Sequence, residues 1–332
     1  MDFLNEYKIA QAVPLERSIT YSEIAANVGF DETLIKRFIR FAMTMHIFDE
    51  TEDGAVKHTS FSRLMATHPF MSDAVNFHTK ELSVGASKTV ESLRRWGPSQ
   101  EGNECGFNIA LGTDKTLWEV TKHAAGCMRY AMEGDAWHAR HILDAFDWAL
   151  IDKPGARAVD IGGGMGQLPK FLIQHTNHIH FTVQDLPHIV TEALEVCEDG
   201  MRPRIIFQAH DFFTPQKMAT PPDLFFTRFI LHDWSDKFAG QILKGLVPAM
   251  GSHTKILIFE AVLPEGPERR ESRRTAIEQD IIMHVCGNGR ERSAKDFRNL
   301  LAGVDKRFVL ERINDPPASM LKGVLIGWNP EA

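Results

Sequence analysis

Long apolar runs are missing from this chain: stretches such as Leu224-Phe225-Phe226 are broken by polar or charged residues well short of the ~20 needed to cross a bilayer. The first residues carry acids at Asp2 and Glu6 where a secretory signal carries a basic region, and no apolar core of signal length follows. A cytoplasmic protein is expected. Cysteine is scarce, with Cys105, Cys127, Cys197 and Cys286 far apart and no C-x-x-C spacing, which argues against a disulfide framework and a cysteine-based zinc site. Positive charge is also in deficit, 37 Lys plus Arg against 44 acids for a net −7. That excludes a global basic field for nucleic acid or an anionic membrane. Neither internal repeats nor low-complexity tracts occur. What is present is a globular composition, 43% hydrophobic and 24% charged, and 332 residues, enough for two domains.

Residues 18 to 48 read as two short helices. Ser18 to Ala26 opens the first and Asp31-Glu32 the second, in which Ile35, Phe38, Ile39 and Ala42 recur at helical spacing. A hairpin follows, Ile47 to Glu50 and Ala55 to Thr59, turned by Asp53-Gly54. The combination predicts a winged helix, and the surrounding acids favour a packing or dimerisation role over DNA binding. From Ser60 to about Leu150 the pattern stays helical, interrupted from Trp96 to Gly106 at a domain boundary. Met128, Met132, His123, His138 and His141 are candidates to line a pocket, although a satisfied helical core is the simpler account of any single one of them.

After Ala156 the period changes. Short apolar runs at Ala158–Ile161, His180–Val183, Ile205–Phe207, Leu224–Phe226 and Lys255–Phe259 alternate with helical segments, the pattern of a buried parallel sheet with crossover helices. Two more strands, Phe308–Ile313 and Gly323–Trp328, joined through Asn314-Asp315-Pro316-Pro317, should pair antiparallel at one side.

The run Val159-Asp160-Ile161-Gly162-Gly163-Gly164-Met165-Gly166 takes a strand into a glycine turn and a helix, a place where backbone can approach a nucleotide-like ligand closely. The dinucleotide fingerprint G-x-G-x-x-G fails in both registers, ending on Gln167 or Pro169, and no Gly-Lys-Ser/Thr follows for terminal phosphates. A ligand with little or no phosphate is indicated. Asp185, before Leu186, ends the second strand about 20 residues on, where an acid can meet ribose hydroxyls. Asp211 and Phe212 end the third and offer an acid and an aromatic to an adenine.

The spacing Asp160-x-Gly162-x-Gly164-x-Gly166 resembles the S-adenosylmethionine-dependent methyltransferases. The segment Thr227-Arg228-Phe229-Ile230-Leu231-His232-Asp233-Trp234 is similar to the catalytic segment of plant and fungal small-molecule O-methyltransferases of the caffeate and flavonoid type. The fungal secondary-metabolite members are the nearest in character. The resemblance implies an α/β fold, with a Rossmann-like S-adenosylmethionine-binding catalytic domain over residues 105–332 and a mainly helical winged-helix domain over residues 1–104. The latter would serve in dimerisation and as a substrate lid. The methyl donor would be held by Asp160, Gly162, Gly164, Asp185, Leu186, Asp211, Phe212 and Arg228. His232 would be the general base, and Glu260 and Glu291 its orienting acids, with the contacting one left open. Asp233, Met128 and Met132 fall to the acceptor site. The physical case for the base is that a phenol of pKa about 10 is a poor nucleophile at neutral pH, whereas imidazole, near about 6.5, accepts its proton. In-line methyl transfer calls for no metal.

The expected function is therefore methylation of a hydroxyl on an aromatic or polyketide-type small molecule by a homodimer without nucleic acid or membrane partners. The alternative is a pericyclase or cyclase on the same scaffold, since some fungal relatives keep the cofactor and have left methyl transfer. A third reading is a ligand-sensing winged-helix regulator. About 17 residues precede Ser18, where family members usually carry further helices, so a reduced dimer surface is expected.

Overall fold

A seven-stranded sheet carries the second half of the chain: β1 (Arg157–Ile161), β2 (His180–Asp185), β3 (Ile205–Ala209), β4 (Leu224–Arg228), β5 (Lys255–Glu260), β6 (Phe308–Asn314) and β7 (Lys322–Trp328). The structure is a computed structural model that describes residues 1–121, 123–269 and 274–331. Across the sheet the order is β6-β7-β5-β4-β1-β2-β3. β1 to β5 are parallel, while β7 runs antiparallel to β5 and β6 antiparallel to β7. All the strand and pairing expectations above are met.

These strands read as unbroken apolar runs because both faces are covered. Successive residues point to opposite sides, so Phe226, Leu257 and Phe259 join Trp148 and Phe181 in one core, and Phe225, Ile256 and Ile258 join Phe297 and Val324 in the other. The direction of winding reverses at β1, which pairs with β2 on one side and β4 on the other. At such a point the flanking crossovers diverge and leave a crevice beyond the strand carboxyl ends. Ile161, Asp185, Ala209, Arg228 and Glu260 mark that edge.

In the first half, two short helices (Asp2–Glu6 and Ile9–Ala12) precede helices Tyr21–Val28 and Glu32–Met43. Thr20 and Glu23 form a reciprocal capping box on the first of the longer pair, and Asp31 Oδ1 accepts the Leu34 N–H at 2.9 Å on the second. The hairpin pairs Asp49–Glu50 with Val56–Lys57, and Gly54 supplies the positive φ of 81° that its turn requires. Ile35, Ile39 and Ala42 are buried as their spacing predicts, but Phe38 is not. It remains 42% exposed and stacks on Phe3 at 4.1 Å. Helical period puts Phe38 at the edge of the stripe of Ile35, Ile39 and Ala42, where the N-terminal helix covers it only in part.

The helical middle is tied to the sheet half by a shared core. Phe77, Phe107, Leu117 and Ala124 pack with Val285 and Cys286 of helix Arg274–Gly287, which follows β5. Among the described residues no helix is long and apolar enough to cross a membrane.

Candidate active site

Gly162, Gly164 and Gly166 all adopt positive φ, 67°, 56° and 72°, which an L side chain resists. The Gly162 and Gly163 N–H groups donate to the Gln184 carbonyl at 2.8 and 3.2 Å, pinning the turn to β2. Gly164 N–H donates to Asp185 Oδ2 at 2.8 Å, and Asp185 Oδ1 accepts the Leu186 N–H at 2.7 Å. Both carboxylate oxygens keep lone pairs for a ribose. A Cβ on Gly162 would lie 2.5 Å from Ile230 Cδ1 and 3.6 Å from the Phe212 ring, so Phe212 borders the turn. Asp211 caps its own loop by accepting the Phe213 N–H at 2.9 Å, and Leu186 is 48% exposed on the flank.

Asp160 is buried at the head of the turn. Burial, with Asp185 nearby, pushes its carboxyl well above the usual range, and Arg228 opposes this. Arg228 is itself lowered to about 10 by burial, against the pull of Asp160. One of its terminal nitrogens donates to the Trp137 carbonyl, and its buried Nε finds no partner among the described residues. A turn whose glycines deny space to side chains, acids at successive strand ends and an unpaired buried donor together fit S-adenosylmethionine. Its amino acid part brings acceptors and its ribose brings hydroxyls.

His232 sits in a one-turn 3-10 helix, Leu231–Asp233, just beyond β4. Its Nδ1 is 2.7 Å from Glu291 Oε1, so Glu291 is the acid that contacts the imidazole. Glu260 plays another part: its Oε1 accepts the Ile230 and Leu231 N–H groups at 2.9 and 2.6 Å and holds the turn that carries His232. His232 Nε2 is buried without a hydrogen bond, 3.4 Å from Asp233 Oδ1. Burial opposes protonation of His232, but Glu291, Asp233 and Glu260 outweigh it and lift its pKa to about 10. Burial likewise pushes Asp233 up to about 7, with His232 opposing and Glu260 and Glu291 adding to the rise. The imidazole and the Asp233 carboxyl therefore titrate as a coupled pair.

His232 and Asp233 open onto a cavity of about 340 Å³. Met128 and Met132 line it, as the sequence suggested, together with Trp137 and Phe229. Ile282 and Met283 of helix Arg274–Gly287 supply another wall. The remaining histidine candidates are elsewhere. His123 bonds Asp73 at 2.9 Å, His138 accepts the Arg140 N–H at 3.1 Å, and His141 is buried against the Asp135 carbonyl at 2.8 Å. His78 lines the cavity instead, from a π-helical turn, Phe77–Leu82, that carries no distinctive sequence signature. Phe229 was passed over as well. Its φ of 56°, unusual for an aromatic residue, turns the chain so that its ring lies 5.4 Å from that of His232.

A sheet in this order with a glycine turn after β1 and a histidine beyond β4 defines a methyltransferase of the S-adenosylmethionine-dependent class. Residues 96–305 match the O-methyltransferase domain family. The O-methyltransferase CTB2 of Cercospora beticola is 32% identical over 95% of this chain and 72% of its own length. The chain belongs to this O-methyltransferase family, and its cofactor is S-adenosylmethionine. Two solved structures share the fold at 20% identity: LepI in complex with S-adenosylmethionine, with a TM-score of 0.80 over 99% of this chain and 84% of that one, and a protein described as a pericyclic reaction enzyme, with 0.81 over the same shares.

Proposed function

We propose that His232 is the general base for methylation of a hydroxyl on an aromatic or polyketide-type small molecule. The observation that carries this reading is the orientation of the imidazole. In the neutral imidazole Nδ1–H donates to Glu291, which leaves the Nε2 lone pair, buried and unpartnered, at the cavity that holds Met128 and Met132. When bound, S-adenosylmethionine supplies a methyl group on a cationic sulfur with a neutral thioether as leaving group. Nε2 takes the acceptor's hydroxyl proton as its oxygen becomes nucleophilic, and Glu291 stabilises the imidazolium that results. Held near a sulfonium, the imidazole is biased toward its neutral form, against the pull of the three carboxylates. Asp160, Gly162, Gly164, Asp185, Leu186, Asp211, Phe212 and Arg228 are assigned to the cofactor, and Glu260 to positioning. Asp233, 3.4 Å from Nε2, is assigned to the acceptor hydroxyl.

Residues 1–104 are read as a winged-helix dimerisation and lid domain and residues 105–332 as the catalytic domain of a cytoplasmic homodimer. Exposed apolar side chains along helix Glu32–Met43 and just past it, Phe38, Phe41 and Met45, support a protein partner for that face. The test is incubation with methyl-labelled S-adenosylmethionine and a panel of phenols and fused-ring hydroxyquinones. Label in the product with equimolar S-adenosylhomocysteine is expected; an isomerised product with the cofactor unconsumed would replace methyl transfer with pericyclic chemistry.

A further inference from the structure

Arg292 is the largest of the fully buried side chains among the described residues, with 0% of its side chain exposed. An arginine in that position is costly unless its donors are satisfied. All three guanidinium nitrogens donate. Nε bonds Asp236 Oδ1 at 2.9 Å, Nη1 the Leu231 carbonyl at 2.8 Å and the Arg290 carbonyl at 3.4 Å, and Nη2 the Trp234 carbonyl at 2.8 Å. Leu231 and Trp234 are the residues immediately outside the pair His232-Asp233. The guanidinium therefore spans the base turn and holds both of its ends. The same stretch of chain grips His232 twice more, through the Arg290 N–H on the His232 carbonyl at 2.8 Å and through Glu291 on Nδ1. Arg292 is itself fixed in a short parallel pairing with Val262, two residues beyond Glu260.

We propose that Arg292 is a positioning residue for methyl transfer: by gripping the two carbonyls that bracket His232 and Asp233, it sets the approach of Nδ1 to Glu291 and the aim of Nε2 into the cavity. The inference rests on His232 being the base. A planar fork matches acceptors in three directions, whereas a lysine ammonium on a flexible stem cannot hold all of them at once. Misplacing a reacting group by about 1 Å costs on the order of 100-fold in rate, so a loosened turn should be read in kcat before it is read in binding.

The experiment compares wild type with Arg292→Lys, Arg292→Ala, Asp236→Asn and His232→Ala, measuring kcat, the acceptor KM, the dissociation constant of S-adenosylmethionine and the thermal midpoint. Arg292→Lys is expected to lose roughly 100-fold in kcat with KM and cofactor affinity within about threefold of wild type. Added guanidinium should restore part of the rate to Arg292→Ala and none to His232→Ala. Asp236→Asn keeps one acceptor for Arg292 Nε while removing the charge and the bond that Asp236 Oδ2 accepts from Arg290 Nη1 at 3.1 Å, and should cost about three- to tenfold in kcat. If Arg292→Ala does not fold, Arg292→Lys and Asp236→Asn decide. Wild-type kcat in Arg292→Lys, or a loss shared equally by kcat, cofactor affinity and thermal stability without rescue, overturns the proposal. Full activity in His232→Ala instead overturns the base assignment, so the two failures are separable.

Discussion

Glu291 Oε1 and His232 Nδ1 lie 2.7 Å apart with side chains only 1% and 4% exposed, an ion-pair geometry sealed from solvent at the end of β4. The carboxylate holds Nδ1 in its protonated form and leaves Nε2 as the ring nitrogen without a hydrogen bond. It orients the imidazole in the folded protein itself.

Glu291→Gln should separate charge from geometry. The amide oxygen can still accept from Nδ1–H, so the tautomer survives, but the imidazolium loses its stabilising charge. A fall in kcat of roughly 10- to 100-fold is expected with acceptor KM little changed, read from steady-state kinetics. Glu291→Ala should fall further.

Glu260 should behave differently. Its Oε1 satisfies two backbone N–H groups, so Glu260→Ala leaves buried donors unpaired and should cost about 1–3 kcal/mol in denaturant unfolding as well as activity. Glu260→Gln keeps an acceptor in place and should be nearer wild type in stability.

The pH dependence follows from the cluster of carboxylates around His232. Its pKa is raised to about 10, so the cofactor-free imidazole is protonated at neutral pH and loses its proton only as pH rises through that value. A sulfonium placed nearby repels the imidazolium and lowers the pKa. Titrating the His232 ring by NMR should therefore show a downward shift with S-adenosylmethionine and a smaller one with S-adenosylhomocysteine, whose sulfur is neutral. Equal shifts would show that the cofactor's charge does not reach the base.

Gly162→Ala should weaken cofactor binding. The new methyl would meet Ile230 Cδ1 at 2.5 Å, the far end of a side chain that must shift, on a backbone at φ 67° that costs an alanine about 1–2 kcal/mol, so the turn is strained. Calorimetric titration with S-adenosylmethionine checks this, and wild-type affinity would remove the turn from the cofactor site.

Much of this architecture is written locally and could be read from sequence. The strands announce themselves because a parallel sheet buries both faces, and Gly162, Gly164 and Gly166 because only glycine accepts their φ. His232 was legible from its place after an apolar strand. The division of labour between Glu260 and Glu291 was not, since both are acids at plausible positions and only the folded turn shows one on the imidazole and the other on backbone N–H groups. Arg292 was invisible for the same reason: sequence treats an arginine as surface, and its partners are carbonyls some 60 residues away. His78 and helix Arg274–Gly287 reach the cavity only through packing between the two halves of the chain.

The most direct test is a single-turnover reaction with methyl-labelled S-adenosylmethionine and a saturating phenolic acceptor, run side by side on wild type and His232→Ala that bind the cofactor equally. The expected result is label transfer with stoichiometric S-adenosylhomocysteine in wild type, slowed by roughly 100- to 10,000-fold in the variant. Transfer at the wild-type rate by His232→Ala would contradict the account.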